Sequence, residues 1–223
     1  NLSGTPQYLS WITQLIRPFL GDTVLELGAG IGNLSGRLMA KRQLYVAAEA
    51  DPLYLHALRN RFLRTPNVSV VDLKTSQPEQ LIKLGQSFDT ILCVNVLEYL
   101  DEPESLLKAT AAALNAGGRL VVLVPQSKSL YCNLDRTLGH KRRFDAEELQ
   151  RIVAAQGLQV EHTRSLAKIG ALAWFLFGRI GGQKQISKLW LKLFDKTVWF
   201  WRLVEPVLPW RGLSLIVVCR KAR

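Results

Sequence analysis

The stretch VLELGAGIGNLSG, residues 24–36, contains the pattern on which the fold depends. A short apolar run carries one acid, Glu26, and leads directly into glycines at positions 28, 30 and 32. Glycine lets the backbone turn sharply and approach a ligand closely. We therefore predict a strand over 23–27, followed by a turn that binds a nucleotide-like ligand.

Apolar runs and helical patterns alternate along the rest of the chain. Further strands are predicted over 44–50, 68–73, 88–96, 119–125, 158–166 and 213–221, and helices over 5–20, 33–41, 51–62, 102–118 and 145–157. Thr5 is the expected cap of the first helix, a Gly-Gly pair is expected to end the helix over 102–118, and Asp145 and Glu148 form a predicted capping box. This alternation predicts an α/β sandwich with a mostly parallel sheet.

Composition limits the remaining possibilities. The chain has 223 residues and a net charge of +11, which fits one domain over 1–223 with a basic surface. Nucleic acid, an anionic membrane surface, an acidic substrate or no partner at all can account for that charge. The three cysteines are far apart, so we expect a reducing, cytoplasmic compartment and neither disulfides nor a bound metal. No apolar run reaches the roughly 18 residues of a membrane span.

The first residue is also informative. The chain begins with Asn1, and Met39 is its sole methionine. Asn1 is therefore not an initiator residue, and we expect the chain to be a piece of a longer protein.

The glycine turn differs from a nicotinamide site. Such a site requires G-x-G-x-x-G with a helix N-terminus facing a pyrophosphate. Here Asn33 occupies the sixth position, and the third glycine falls one residue early. Glu26 would repel a pyrophosphate, whereas it suits a ligand with a cationic amino group. S-adenosylmethionine has such a group and carries no phosphate.

Polar residues at the ends of the next strands support this choice. Glu49 follows the glycines by about 20 residues, where an acid can accept both ribose hydroxyls. Asp72 ends the third predicted strand, where it can accept from an adenine amino group, and Asn95 lies at the end of the fourth.

Five motifs in order resemble those of class I S-adenosylmethionine-dependent methyltransferases. They are VLELGAGIG, AAEAD, VVDL, FDTILCVNVLEYLDEPESLL and LNAGGRLVVLVP. The resemblance covers about residues 5–165 and the last strand. The tract LYCNLDRTLGHKRRFDAEEL, residues 130–149, is similar to a bacterial subgroup of small-molecule methyltransferases. Some members of that subgroup are fused to glycosyltransferases, which would account for the missing initiator.

The resemblance implies a Rossmann-like fold. Its seven-stranded, mostly parallel sheet has an antiparallel last strand, with helices on both faces. The implied cofactor contacts are Glu26, Gly28, Gly30, Glu49, Asp72 and Asn95, the backbone near Leu73 and Val96, and the adjoining Ala29, Gly32 and Ala50. Many relatives have histidine after the glutamate of the fourth motif, where this chain has Tyr99. The role of that histidine is therefore not carried over.

Methyl transfer to oxygen or nitrogen can require a base, because the acceptor atom loses a proton. His140 is the best candidate, since it follows strand five in a polar tract at the carboxyl edge of the sheet; the alternative is a loop histidine that bonds backbone. Tyr99, Tyr131 and Asp135 are weaker candidates that would orient the acceptor. Two further candidates, Arg142 and Arg143, either clamp an anionic substrate group or form a solvated basic turn.

Residues 167–212 form a helical insert before the last strand. Within it, the sequence ISKLWLKLFDKTVWFWRLVEP predicts a helix with two sides. Lys188, Lys192, Asp195 and Arg202 are predicted along one side, and Ile186, Trp190, Leu193, Phe200, Trp201 and Val204 along the other. We favour the interpretation that this helix is a lid, which covers an apolar acceptor pocket. An interfacial membrane helix has the same composition and can coexist with the lid.

Three functions from different classes follow. The favoured one is methyl transfer from S-adenosylmethionine to oxygen or nitrogen of a small-molecule or lipid-linked acceptor, with peripheral membrane contact compatible with it. A nucleic-acid methyltransferase is suggested by charge alone, and the fourth motif, NVLEYL, lacks the Asn/Asp-Pro-Pro-aromatic pattern of amino-methylating DNA and RNA enzymes. We therefore expect no nucleic-acid partner. The third is a non-catalytic module that docks a partner or membrane. The presence of both Glu26 and Glu49 argues against it, because such a module need not retain these acids.

Overall fold

The computed structural model describes residues 4–185 and 187–222. Its sheet consists of β1 (Thr23–Leu27), β2 (Leu44–Glu49), β3 (Val68–Asp72), β4 (Phe88–Val94), β5 (Leu114–Pro125), β6 (Leu158–Leu166) and β7 (Ser214–Lys221). The strand order is β3-β2-β1-β4-β5-β7-β6, and β7 runs antiparallel to both neighbours. The predicted seven-stranded Rossmann-like sheet with an antiparallel last strand is confirmed.

Helices cover both faces of the sheet. They are α1 (Pro6–Ile16), α2 (Ser35–Leu38), α3 (Pro52–Phe62), α4 (Glu79–Ile82), α5 (Pro103–Ala113), α6 (Asn133–Thr137), α7 (Ala146–Ala154), α8 (Lys168–Trp174) and α9 (Lys188–Val204). Alternate strand residues point to opposite faces, so the sheet separates two apolar cores. Leu25 packs in the core that holds α5 and α7, whereas Val24 packs in the core that holds α1, α3 and α9.

Two predicted helix boundaries are wrong. The helix expected over 33–41 is reduced to α2, with turns on either side. The Gly-Gly pair does not cap α5, because α5 ends at Ala113 and Leu114 already belongs to β5. Gly118 lies inside that strand, where an added Cβ would be 2.9 Å from the carbonyl oxygen of Asn115. This glycine is required for close backbone packing and not for helix termination.

Two predicted caps are also replaced by other contacts. Asp145 makes no side-chain capping bond at the start of α7, and its carboxylate lies 3.3 Å from Arg211. At α1, the carboxylate of Asp195 accepts hydrogen bonds from the amides of Gln7 (3.0 Å) and Tyr8 (2.9 Å). The N-terminus of α1 is therefore capped by a residue of α9 and not by Thr5.

The insert is helical, as predicted. It contains α8, a π-helix over Phe175–Ile180, α9 and a short 3-10 helix over Glu205–Val207. The predicted sides of α9 need correction at Asp195, which is buried, and at Phe200, which is 42% exposed. Two residues of the sequence analysis, Asn1 and Ile186, lie outside the described residues.

Candidate functional site

A cavity of about 980 Å³ opens at the carboxyl ends of β1, β2, β4 and β5. The predicted site residues that line it are Glu26, Gly28, Ala29, Gly30, Glu49, Asn95, Val96, Tyr99, His140 and Arg143. In an open α/β sheet this edge is where ligands bind. In the described part of the chain, Gly32, Ala50, Asp72, Leu73, Tyr131, Asp135 and Arg142 lie outside the cavity wall.

The glycine turn forms the floor of one end. Gly28 and Gly30 have positive φ values of 67° and 57°, a region that residues with a side chain rarely adopt. A Cβ added to Gly30 would have no atom within 4 Å, so it would project into open space at the cavity wall. Gly32 has a different role, because an added Cβ would lie 2.6 Å from Phe62. The turn therefore offers bare backbone to a ligand and packs tightly behind it.

Glu26 supplies a buried acid beside this turn. Its Oε2 accepts hydrogen bonds from Ser35 (2.5 Å) and Tyr45 (2.7 Å). Burial raises the pKa of Glu26 to about 7, although these two hydrogen bonds act in the opposite direction. A cationic ligand group would restore the carboxylate, which fits the amino group of S-adenosylmethionine.

Glu49 is oriented by the backbone around it. Oε2 accepts from the Gly30 amide at 2.7 Å, and Oε1 accepts from the amides of Ala50 and Asp51 at 2.8 and 2.9 Å. Each carboxylate oxygen has two lone pairs, so Oε1 is filled by its two amides and Oε2 retains capacity for a ligand hydroxyl. Ala50 thus supports Glu49 from outside the wall. The neighbouring Asp51 lines the cavity and also caps α3 through the amides of Leu53 and Tyr54.

The third and fourth strand ends differ from each other. Asn95 follows β4 with a φ of 53° and lines the cavity. Asp72 is exposed at the end of β3, and Leu73 is buried in the core, so neither side chain contacts the cavity. Thr75 and Tyr54 line this end instead. They lie beyond strand ends, in positions that the strand pattern does not indicate.

His140 belongs to a hydrogen-bonded network centred on Asp135. The Nδ1 of His140 lies 3.1 Å from Oδ1 of Asp135, which also accepts from Nε of Arg143 at 2.9 Å. Oδ2 accepts from the Cys132 amide at 3.0 Å and from Nε1 of Trp174 at 3.2 Å. Asp135 is fully buried, so the expected direct contact with substrate is wrong. Burial acts to raise the pKa of Asp135, but hydrogen bonds from His140 and Arg143 hold it below its usual value.

This network determines the chemistry available to His140. A carboxylate on Nδ1 favours the tautomer in which Nε2 has the lone pair. Because His140 lines the cavity, that nitrogen is suited to accept a proton from a bound molecule. Arg143 is 2% exposed and lies over the ring of Trp174 at 4.7 Å. It is therefore a buried ion-pair partner and not part of a solvated turn.

Tyr99 contacts His140 edge to face, with 5.3 Å between ring centres. Burial and the nearby Glu98 carboxyl raise the pKa of Tyr99 to about 12. At neutral pH it is a hydroxyl donor and not a base. Burial likewise raises the pKa of Glu98 to about 8, and its carboxyl oxygens have no hydrogen-bond partner among the described residues.

Tyr131 and Arg142 lie outside the cavity and hold its loop in place. The hydroxyl of Tyr131 donates to the carbonyl oxygen of His140 at 2.9 Å. Nη2 of Arg142 donates to the carbonyl oxygen of Asp101 at 2.7 Å. Both side chains therefore fix the backbone around His140. Neither lines the cavity, and their substrate contacts stay predictions.

The insert forms the apolar end of the cavity. Ala173, Trp174 and Phe177 line it from one side, and Phe194 and Trp201 line it from α9. Tyr8 of α1 also lines it, whereas Trp11 is buried in the core. One continuous space therefore joins a polar end with two acids to an apolar end with several aromatic rings.

Residues 4–185 and 187–222 contain no group of three or more His, Cys, Asp or Glu side chains arranged to hold a metal ion. They also contain no helix that is long and apolar enough to cross a bilayer.

Comparison with known proteins finds similarity to methyltransferases. A model described as a methyltransferase domain matches residues 25–120. A protein of Methanosarcina acetivorans named "Probable ribosomal RNA small subunit methyltransferase A" is 43% identical over 61 residues, which are 26% of this chain and 23% of that protein. The ubiquinone biosynthesis O-methyltransferase of Aeromonas salmonicida is 27% identical over 175 residues, 70% of each chain.

A solved structure agrees in fold. The N-methyltransferase NodS from Bradyrhizobium japonicum, in complex with S-adenosyl-L-homocysteine, superposes with a TM-score of 0.66 at 17% identity. The match covers all of this chain and 91% of that one. Residues 25–120 thus match a methyltransferase domain, and the chain has the fold of an S-adenosylmethionine-dependent methyltransferase. The predicted resemblance is confirmed to this extent, and a methyltransferase domain implies S-adenosylmethionine as the cofactor.

Proposed function

We propose that this protein transfers a methyl group from S-adenosylmethionine to oxygen or nitrogen of a small-molecule or lipid-linked acceptor. One observation carries the proposal, namely the continuous cavity in which the glycine turn and the aromatic rings of the insert face the same space. Its volume of about 980 Å³ lies at the upper end for small-molecule sites, which leaves room for an acceptor beside a cofactor.

The residues of the polar end fit the cofactor. Glu26 would hold the cationic amino group, Glu49 the ribose hydroxyls, and Gly28 and Gly30 would let the ligand approach the backbone. When bound, the cofactor supplies a methyl group on a sulfonium, whose carbon–sulfur bond breaks as the acceptor lone pair attacks, with the bonding electrons leaving on sulfur. Holding the two reactants in line accounts for much of the acceleration in such a reaction.

His140 is the proposed base. Its Nε2 would take the proton from the acceptor hydroxyl or amine, and Asp135 would stabilise the resulting imidazolium through Nδ1. This arrangement is a histidine oriented by a buried carboxylate, as in other acid–base sites. Tyr99 remains protonated at neutral pH. Its hydroxyl would therefore donate a hydrogen bond to the acceptor or to the group that takes the acceptor's proton.

A nucleic-acid acceptor is the competing proposal. The name of the Methanosarcina relative and the net charge of +11 favour it. The apolar end of the cavity favours the small-molecule or lipid-linked acceptor, because phosphates and sugars gain nothing from aliphatic and tryptophan surroundings. The insert therefore decides our preference.

Two measurements test the proposal. Calorimetry should detect S-adenosylmethionine or S-adenosylhomocysteine binding and no NAD binding. Incubation with methyl-labelled S-adenosylmethionine should then label molecules in an organic or small-molecule extract of cells, and not total RNA. Binding of NAD with neither adenosyl ligand would refute the cofactor assignment, and label confined to RNA would refute the acceptor class.

A further inference from the structure

The outward face of α9 is apolar although it faces solvent. Leu189, Trp199 and Leu203 are 74%, 67% and 72% exposed, and Phe200 lies on the same side of the helix. None of the four lines the cavity. The inward face is formed by other residues, such as Phe194 and Val198. A lid alone requires only that inward face, so the outward apolar residues need a separate explanation.

Cations are interleaved with these apolar side chains. Lys188, Lys192 and Lys196 are exposed on α9, and Arg202 follows near its end. The acidic residue of the helix, Asp195, is buried under α1 and contributes no charge to this surface. Apolar and cationic side chains on one exposed helix face are typical of helices that lie in an anionic membrane interface.

Charge also distinguishes among the occupants of this face. A second copy of the chain would bring two rows of lysines together, which like-charge repulsion opposes. Exposed leucines gain nothing from a phosphate backbone, so nucleic acid would leave the apolar area uncovered. An anionic bilayer accommodates both kinds of side chain at once.

The cavity opens beside this face. Trp190, Leu191 and Leu193 line the cavity and are also 51%, 38% and 48% exposed. Trp190 additionally contacts Phe177 across the opening, with 5.6 Å between ring centres. A molecule that leaves a bilayer at this position would pass directly into the apolar end of the cavity.

We infer that the outward face of α9, defined by Leu189, Lys192, Lys196, Trp199 and Leu203, docks on an anionic membrane surface. The acceptor then enters from the lipid phase beside Trp190 and Leu193. The docking stands on the exposed face alone, whereas the entry of an acceptor rests on the proposed function. The face therefore selects acceptors that carry a lipid chain.

The test uses flotation with vesicles of phosphatidylcholine, with or without about one third phosphatidylglycerol. The full chain should float with the anionic vesicles, more weakly as salt is raised, and little with the neutral ones. Leu189→Gln with Leu203→Gln, or Lys192→Glu with Lys196→Glu, should each weaken binding about tenfold or more. The matched controls Leu63→Gln with Ile82→Gln, and Lys83→Glu with Lys108→Glu, change exposed residues elsewhere and should bind as the parent does.

Calorimetry with S-adenosylhomocysteine on the same variants separates the two proposals. Retained affinity in variants that no longer float supports the docking face and shows that they are folded. Flotation without any adenosyl-ligand binding would leave the docking face standing and refute the proposed function. The inference is overturned if the parent does not float, or if face and control variants lose binding equally. It is also overturned if sedimentation shows a dimer that only the face variants disrupt, or if these variants affect an RNA oligonucleotide and not vesicles.

Discussion

Gly30 separates two effects of a side chain in the glycine turn. Gly30 and Gly85 both have positive φ, 57° and 65°, and an added Cβ would meet no atom within 4 Å at either position. Gly30→Ala and Gly85→Ala should therefore cost similar stability, about 1–2 kcal/mol each from the left-handed backbone. Only Gly30→Ala should lose affinity for S-adenosylhomocysteine, because its methyl group enters the cavity. Calorimetry and urea unfolding of both variants check this, and equal ligand affinity would contradict the assigned turn.

Glu26 should make cofactor binding depend on pH. Its pKa of about 7 lies above the ordinary value of 4.5, chiefly through burial. A cationic ligand stabilises the carboxylate, so binding below about pH 7 should release a proton. Affinity should therefore fall by up to about tenfold for each pH unit below that value. Calorimetry in two buffers of different ionisation enthalpy measures that proton release. Glu26→Gln should bind weakly at every pH; a parent with constant affinity from about pH 6 to 8 would exclude this role.

The same raised pKa affects folding. The Glu26 carboxyl is harder to ionise in the folded protein than in the unfolded chain. Its protonated form therefore contributes stability that is fully present below the unfolded pKa and is lost as pH rises toward about 7. The ligand-free protein therefore carries a cost at neutral pH. Binding of a cationic group at Glu26 would remove that cost.

His140 can be tested against a histidine of similar type. His140→Gln should lower labelled methyl transfer into the organic extract by about 10²–10⁴-fold, because the acceptor proton has no base. Affinity for S-adenosylhomocysteine should stay unchanged. His56→Gln, an exposed change on α3, should alter neither quantity. Transfer that is equally fast in both variants would assign the proton to water or to another group.

Residue-level prediction located side chains correctly where the strand pattern alone fixes position. Glu26 and Glu49 lie at strand ends that meet at one edge of the sheet, and both line the cavity. It failed at Asp135, whose burial depends on Arg143 and on Trp174, which lies 39 positions away. No local pattern indicates a contact across such a separation. The role of Tyr131 was missed for the same reason.

Among the elements, α1 and α9 are joined by the buried carboxylate of Asp195. Asp195→Ala should lower the free energy of unfolding by about 1.5–3 kcal/mol, because two amides lose a charged acceptor. Hydrogen exchange at Gln7 and Tyr8 should accelerate as well. Asp145→Ala is the matched control, since that residue makes no side-chain capping bond and its carboxylate, within residues 4–185 and 187–222, pairs only with the exposed Arg211. Its cost should stay within about 0.5 kcal/mol.

Element prediction was most accurate for buried strands and least accurate at their junctions. All seven described strands were located. The signal was clearest for buried strands such as β1 and β4, because strands covered on both faces leave a continuous apolar run. The α5–β5 junction was wrong, since a glycine pair that usually ends helices serves here for close strand packing. The division of α9 into two sides also failed at Asp195, whose partner is another helix.

For the whole molecule, the net charge of +11 should affect stability as well as binding. Self-repulsion of a basic surface is relieved by salt, whereas the exposed ion pairs that salt weakens are worth little. Sodium chloride should therefore raise the melting temperature, by about 2–4 °C for each kcal/mol gained. Lys83→Glu with Lys108→Glu lowers the net charge and should show a smaller rise. A melting temperature that falls with salt would mean that specific ion pairs outweigh the repulsion.

The insert leaves and rejoins the sheet at nearly the same point. The Leu213 amide donates to the Ala167 carbonyl oxygen, and a Cβ on Gly212 would lie 2.1 Å from the carbonyl oxygen of Leu166. Residues 168–212 are thus a long insertion in the connection between the antiparallel strands β6 and β7. The glycine turn lies elsewhere in the chain. Under the proposed function, exchanging this segment for another should change the choice of acceptor and leave the glycine turn in place. A transplanted segment would have to keep the hydrogen bond from Trp174 to Asp135 and the cap that Asp195 provides for α1.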